Sequence, residues 1–143
     1  NGSTLTFYGK NINNIVFNIK YQKEVRHDLP SFKGREVTVV DTLTMRRADI
    51  KIEIWDNNKE DGDVVSLSLN GEYLCQNLEV SNKKVNFQAK NLRGQNLLIL
   101  YAENLGKIPP NTAAIRIIAG DQIKEVVLNS DKGKSEAIQI LIE

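Results

Sequence analysis

The chain has 143 residues, 41% of them hydrophobic and 26% charged, a composition that supports one packed core and excludes a disordered or fibrous chain. Nineteen Lys and Arg stand against eighteen Asp and Glu, a net charge of +1, so there is no general electrostatic drive toward nucleic acid or an anionic membrane. Cys75 is the single cysteine, which excludes an internal disulfide and a thiolate metal cluster.

In chain order, the first residues Asn1-Gly2-Ser3 carry neither a basic n-region nor an apolar h-region, so any signal peptide would precede this numbering. The first patterned segment alternates apolar and polar residues from Ile15 to Tyr21. With the residues before it, this predicts an N-terminal hairpin over 4–21. The polar stretch 22–34, with Pro30 and the single His27, reads as a long loop. Residues 1–34 therefore have uncertain membership, while 35–143 form the core module; both are read as parts of one domain, because a lone hairpin cannot bury a core.

Period-two alternation, the mark of a strand with one buried face, then returns repeatedly. It covers residues 37–45, 50–54, 65–69, 85–89 and 138–142. Residues 97–102 are continuously apolar, as expected of a central strand covered on both faces. Asn70-Gly71 predicts a tight hairpin turn before a short strand at 73–75, because both positions tolerate positive φ. Gly120-Asp121 plays the same part between 113–119 and 123–128.

No window keeps a helical stripe with caps, and no run approaches the roughly eighteen apolar residues that span a bilayer. About nine to ten short strands, with turns every eight to twelve residues or so, predict an all-β, antiparallel sandwich of jelly-roll or immunoglobulin-like type. The expected core is Ile52, Ile54, Leu67, Leu69, Phe87, Leu98, Leu100, Ile117, Ile138 and Ile140. Cys75 is expected to be buried and unreactive.

The concentrated polar feature is the loop at 56–63. Asp56, Asn58, Glu60, Asp61 and Asp63 offer oxygen ligands, and Gly62 can turn the backbone. Calcium takes about six to eight such oxygens, so these five residues are the candidate metal ligands. An EF-hand is a poor match, since Asp61 stands where that loop needs glycine and flanking helices are absent. The alternative is a solvated turn, rich in Asp and Asn because they tolerate turn conformations. Trp55 is out of phase with Ile50, Ile52 and Ile54 and should face the other way, either as a stacking platform for a sugar ring or packed under a loop.

Glu103 and Asn104 head the corner that runs to Pro109-Pro110-Asn111-Thr112. They are candidate ligand-binding residues if that corner lies near the acidic loop, and otherwise ties for buried backbone. A single His argues against a His-based triad or metal catalysis. Phosphate-binding glycine patterns and a serine nucleophile elbow are both missing.

The pattern Asp56-x-x-x-x-Asp61-Gly62-Asp63-x-Val65-x-Leu67-x-Leu69-Asn70-Gly71, followed by Tyr101-Ala102-Glu103-Asn104-Leu105-Gly106-x-Ile108-Pro109-Pro110-Asn111-Thr112-Ala113, resembles a module of secreted and surface lipoproteins of gliding and gut bacteria. The resemblance covers about residues 35–143. It implies export to the periplasm, cell surface or medium, a β-sandwich, and a non-catalytic role in multidomain surface proteins; it implies no ligand. The acidic pattern is also similar to the Asp-Gly-Asp loops of calcium-dependent carbohydrate-binding modules.

The leading expectation is thus a non-catalytic interaction, adhesion or connector module, stabilised by calcium, with carbohydrate or another surface protein as partner. A calcium-dependent carbohydrate-binding module is the alternative, and a small hydrolase stands behind both.

Overall fold

A computed structural model describes residues 31–143 other than Gly106 and Ile108. The expected N-terminal hairpin and His27 lie outside the described residues. Of the described residues 67% are in strands, and there are no helices among them, hence none long and apolar enough to cross a membrane. Ten strands follow in order: β1 (Ser31–Phe32), β2 (Arg35–Met45), β3 (Ile50–Trp55), β4 (Val64–Leu69), β5 (Glu72–Glu79), β6 (Val85–Ala89), β7 (Gly94–Ala102), β8 (Asn111–Ala119), β9 (Gln122–Ser130) and β10 (Lys134–Ile142).

Hydrogen bonding joins them in one barrel-like sheet, ordered β5-β4-β7-β10-β9-β8-β3-β6, with β2 and β1 branching from β10. All pairings are antiparallel except β2 with β10, which run parallel from Glu36–Lys134 to Met45–Ile142. Alternation shows which face of a strand is buried but says nothing of its neighbour's direction, so this pairing departs from the expected all-antiparallel arrangement. Parallel neighbours need a long crossover, and here most of the domain supplies it. Of the stretch expected as loop at 22–34, only 31–34 are among the described residues, and Ser31–Phe32 is a strand there. Ser31 and Phe32 pair with Glu36 and Arg35 around a Lys33-Gly34 turn with positive φ at both positions.

Among the described strands alternation marks the buried face, because pleating sends successive side chains to opposite faces. Ile52, Ile54, Leu67, Leu69, Leu98, Leu100, Ile117, Ile138 and Ile140 share one buried cluster, and Phe87 packs against it only half-buried. β7 is covered on both sides as its unbroken apolar run requires. Leu98 and Leu100 face that main core, while Leu97 and Ile99 meet Ala137, Phe32 and Val37 on the other face. There Phe32 packs edge-on against Tyr73 and Tyr101, at 6.4 and 6.0 Å between ring centroids. Arg35 stacks on Tyr101 at 3.8 Å and donates to the Ala102 and Asp131 carbonyls.

Asn70-Gly71 makes the predicted turn, with φ of 55° and 86°. The Asn70 side chain fastens that turn to β7, accepting from Leu97 N–H at 2.8 Å and donating to Asn96 Oδ1 at 2.9 Å. Cys75 lies on β5, half-buried rather than buried, because β5 is an edge strand of the sheet. Burial nonetheless pushes its thiol pKa up.

Candidate functional site

β3 ends at Trp55 and β4 begins at Val64, so the intervening loop must reverse direction at one end of the sheet. It does so with Gly62 at φ +84°, a conformation that side chains rarely tolerate. The loop is anchored on several sides. Asp56 N–H donates to the Ser81 carbonyl at 2.7 Å, and Val80 N–H donates to the Asp63 carbonyl at 3.0 Å. Asn82, between β5 and β6, donates its amide to the carbonyls of Asp56 and Asn58 at 2.7 and 3.1 Å.

This anchoring draws three carboxylates inward. Asp56, Asp61 and Asp63 are 2%, 9% and 3% exposed, and one carboxylate oxygen from each lies within 4.8 Å of the others. Asp56 Oδ1 accepts from Asn58 N–H at 2.9 Å, a local Asx turn. Asp63 Oδ2 accepts from Thr112 N–H at 3.1 Å, whereas Asp63 Oδ1 is buried with no hydrogen-bond partner. Burial is the main reason that the Asp63 pKa rises to about 6; the Thr112 bond opposes the shift, and contact with Asp61 and the charge of Asp56 add to it. A carboxylate withdrawn from water beside two others is costly to ionise.

The three acids open into a cavity of about 270 Å³ that Asn58, Lys59, Thr112 and the cis Pro109-Pro110 pair also line. The same prolines wall a neighbouring recess of about 520 Å³ with Leu105, Asp131, Lys132 and Gly133. Chemically, the first cavity is a cluster of hard oxygen acceptors. It can hold a cation, or a proton shared among the acids.

The five acidic-loop residues end in different roles. Asp56, Asp61 and Asp63 converge, and Asn58 lines the cavity. Glu60 turns away, its Oε2 accepting from Asn82 N–H at 2.6 Å. Glu103 and Asn104 lie beside the site and tie backbone. Asn104 accepts from Val64 N–H at 2.9 Å and donates to the Gly62 carbonyl at 3.0 Å, and Glu103 accepts from the Ser66 hydroxyl. Lys107 N–H donates to the Asp61 carbonyl at 3.1 Å, so this corner does meet the acidic loop.

Trp55 faces away from the main core as its phase predicts. Lys84 Nζ lies 4.5 Å and Arg116 Cζ 5.3 Å from its ring centroid, and Arg116 is itself paired with Glu125 and Glu53.

Asn82, Asn111 and Thr112 shape the site without having been assigned a role from the sequence. Asn111 is fully buried and donates to the carbonyls of Asn104 and Val64 at 2.6 and 3.2 Å. Their roles depend on partners far along the chain: Asn82 reaches Asp56, Thr112 reaches Asp63 and Asn111 reaches Val64. Comparison of the chain with protein-family models, curated proteins and solved structures found no significant match.

Proposed function

We propose that this chain is a non-catalytic interaction or connector module of an exported bacterial protein, folded as a β-sandwich. The observation that carries this reading is how polar side chains are used at the acidic end. Asn82, Asn104, Asn111 and Glu103 bind backbone or hydroxyl groups across separate loops, which builds a stiff end suited to holding neighbouring domains in register. The cavity left there is about 270 Å³, just below the range of about 300–1,000 Å³ usual for a small-molecule site. It fits an ion with its waters better than a substrate lying between an acid and a base.

Two features support the sandwich form. The half of the sheet formed by β5, β4, β7, β10 and β2 meets the half formed by β9, β8, β3 and β6 through a single bridged pair, Ser135 with Ser130. Leu67 and Ile138 from one half and Ile52 and Leu128 from the other belong to one core, as two sheets packed face to face require. Export and a surface location rest on the lipoprotein-like motifs at 56–71 and 101–113.

A calcium-dependent carbohydrate-binding module is the second reading. It is favoured by the ridge of Pro109 and Pro110 between the acidic cavity and the neighbouring recess. A sugar ring resting on the prolines could place hydroxyls toward an ion beyond them.

A glycan array probed in calcium and in chelator, alongside a panel of glycoside, ester and peptide substrates, tests the assignment. The connector reading expects neither retention nor turnover. Retention of a glycan only in calcium selects the second reading. Turnover that Asp63→Asn abolishes would overturn both in favour of a small hydrolase.

A further inference from the structure

Asp131, Asp49, Asp41 and Glu60 each accept a backbone N–H, from Gly133 and Lys134, Asn91, Thr42 and Asn82 respectively. Such acids are used up by the turns that hold them. The cluster at the end of β3 differs: it is buried, and one of its members keeps an oxygen with nothing to accept.

We propose that Asp56, Asp61 and Asp63 form a calcium site that clamps the β3–β4 loop to the start of β8, under either functional reading above.

Three observations converge on it. The carboxylate oxygens lie within 4.8 Å of one another. Two oxygens each about 2.4 Å from one ion can be at most about 4.8 Å apart, so the three acids meet the pairwise limit for sharing one calcium. Asp63 is 3% exposed and lines the cavity, and its Oδ1 is buried without a hydrogen-bond partner. A buried acceptor left unmet is costly, and a cation supplies what the protein does not.

The donor set is entirely hard oxygen, which suits calcium or magnesium rather than zinc or copper. The cavity of about 270 Å³ has room for the further oxygens that complete about six to eight ligands around calcium. Magnesium requires strict octahedral geometry and sheds water reluctantly, so a roomy site with three carboxylates favours the larger ion.

The consequence is mechanical. Asp56 directly follows β3 and Asp63 directly precedes β4. Asp63 is bonded to Thr112 of β8, and Asp61 to Lys107. An ion held by all three acids therefore links β3, β4, β8 and the proline corner.

Trp55 is the single tryptophan and adjoins Asp56, so it reports on the site through sensitised terbium emission. The full chain is titrated with terbium under excitation of Trp55, then back-titrated with calcium and with magnesium. Saturable emission is expected, displaced by calcium at concentrations at least tenfold below those of magnesium. Asp63→Asn keeps an acceptor for Thr112 N–H, so it should fold while weakening terbium and calcium binding at least tenfold; Asp61→Asn should do the same. Glu60→Gln should bind as the unaltered protein does. Absence of saturable emission, together with equal melting temperatures in calcium and chelator, overturns the site. Unchanged affinity in both Asp variants overturns the ligand assignment, and equal displacement by magnesium overturns the choice of calcium.

Discussion

Leu67 and Asp63 sit a few residues apart, at 0% and 3% exposure, and burial has opposite consequences for them. Leu67 joins an apolar cluster with Ile52, Ile115 and Leu100, where removal from water is itself the source of stability. Asp63 enters a corner where removal from water penalises its charge and Asp56 and Asp61 add repulsion. The core needs only shape. The acidic corner needs chemistry from outside the chain, or a proton, to settle its charge. The difference teaches that a buried residue is informative about function chiefly when its burial is unfavourable.

The largest expected effect probes the apolar side of this contrast. Leu67→Ala should cost about 2–5 kcal/mol, because the lost side chain leaves a cavity that β-sheet neighbours fill poorly. Urea denaturation measures it, and a loss below about 0.5 kcal/mol would remove Leu67 from the core. Calcium should leave that cost unchanged, since the leucine and the acids act through separate terms.

On the polar side, calcium at a hundred times its dissociation constant should add about 2.7 kcal/mol by mass action. For a domain of this size that is roughly 5–11 °C in melting temperature. Asp63→Asn, with affinity weakened at least tenfold, should cut the gain to about 1.4 kcal/mol or less at the same calcium concentration. In calcium-free buffer the same change should be neutral or mildly stabilising at neutral pH, because it removes a charge from the cluster. Scanning calorimetry of both proteins in calcium and in chelator checks each arm.

A smaller effect follows from acidity. Asp63 has its pKa raised from 3.8 to about 6, so between those values the folded protein keeps a proton that the unfolded chain has released. Without calcium, its contribution therefore falls as pH rises from about 4 to about 6, then levels. Subtracting the pH profile of Asp63→Asn from that of the unaltered protein isolates this slope. A difference that instead rises over that interval would contradict the raised pKa. Calcium binds the carboxylate form, so its affinity should strengthen across the same interval.

The smallest effect concerns Cys75, which belongs to neither extreme. It is half-buried on β5 with its thiol pKa raised by burial, so little reactive thiolate exists at neutral pH. Native labelling by a thiol reagent should be much slower than in denaturant. Equal rates would show that β5 opens freely at that edge.

The strands were largely determined by the sequence itself. Alternation over 50–54, 65–69 and 85–89 is a local property of a pleated backbone, and β3, β4 and β6 follow those runs closely. Asn70-Gly71 was legible for the same reason, since two residues of positive φ make that turn. The sequence also located the acidic loop and placed Trp55 on the face opposite Ile54.

Only the tertiary structure decided the parallel alignment of β2 with β10, because neighbour direction depends on the route of the whole chain. It alone sorted the five candidate ligands. Asn82 claims Glu60, Thr112 claims one oxygen of Asp63, and the remaining acceptor is left buried. Asn104 was likewise directed to the backbone of Gly62 and Val64. These outcomes depend on partners far along the sequence and on the loss of water around them, and neither is encoded in the local order of residues.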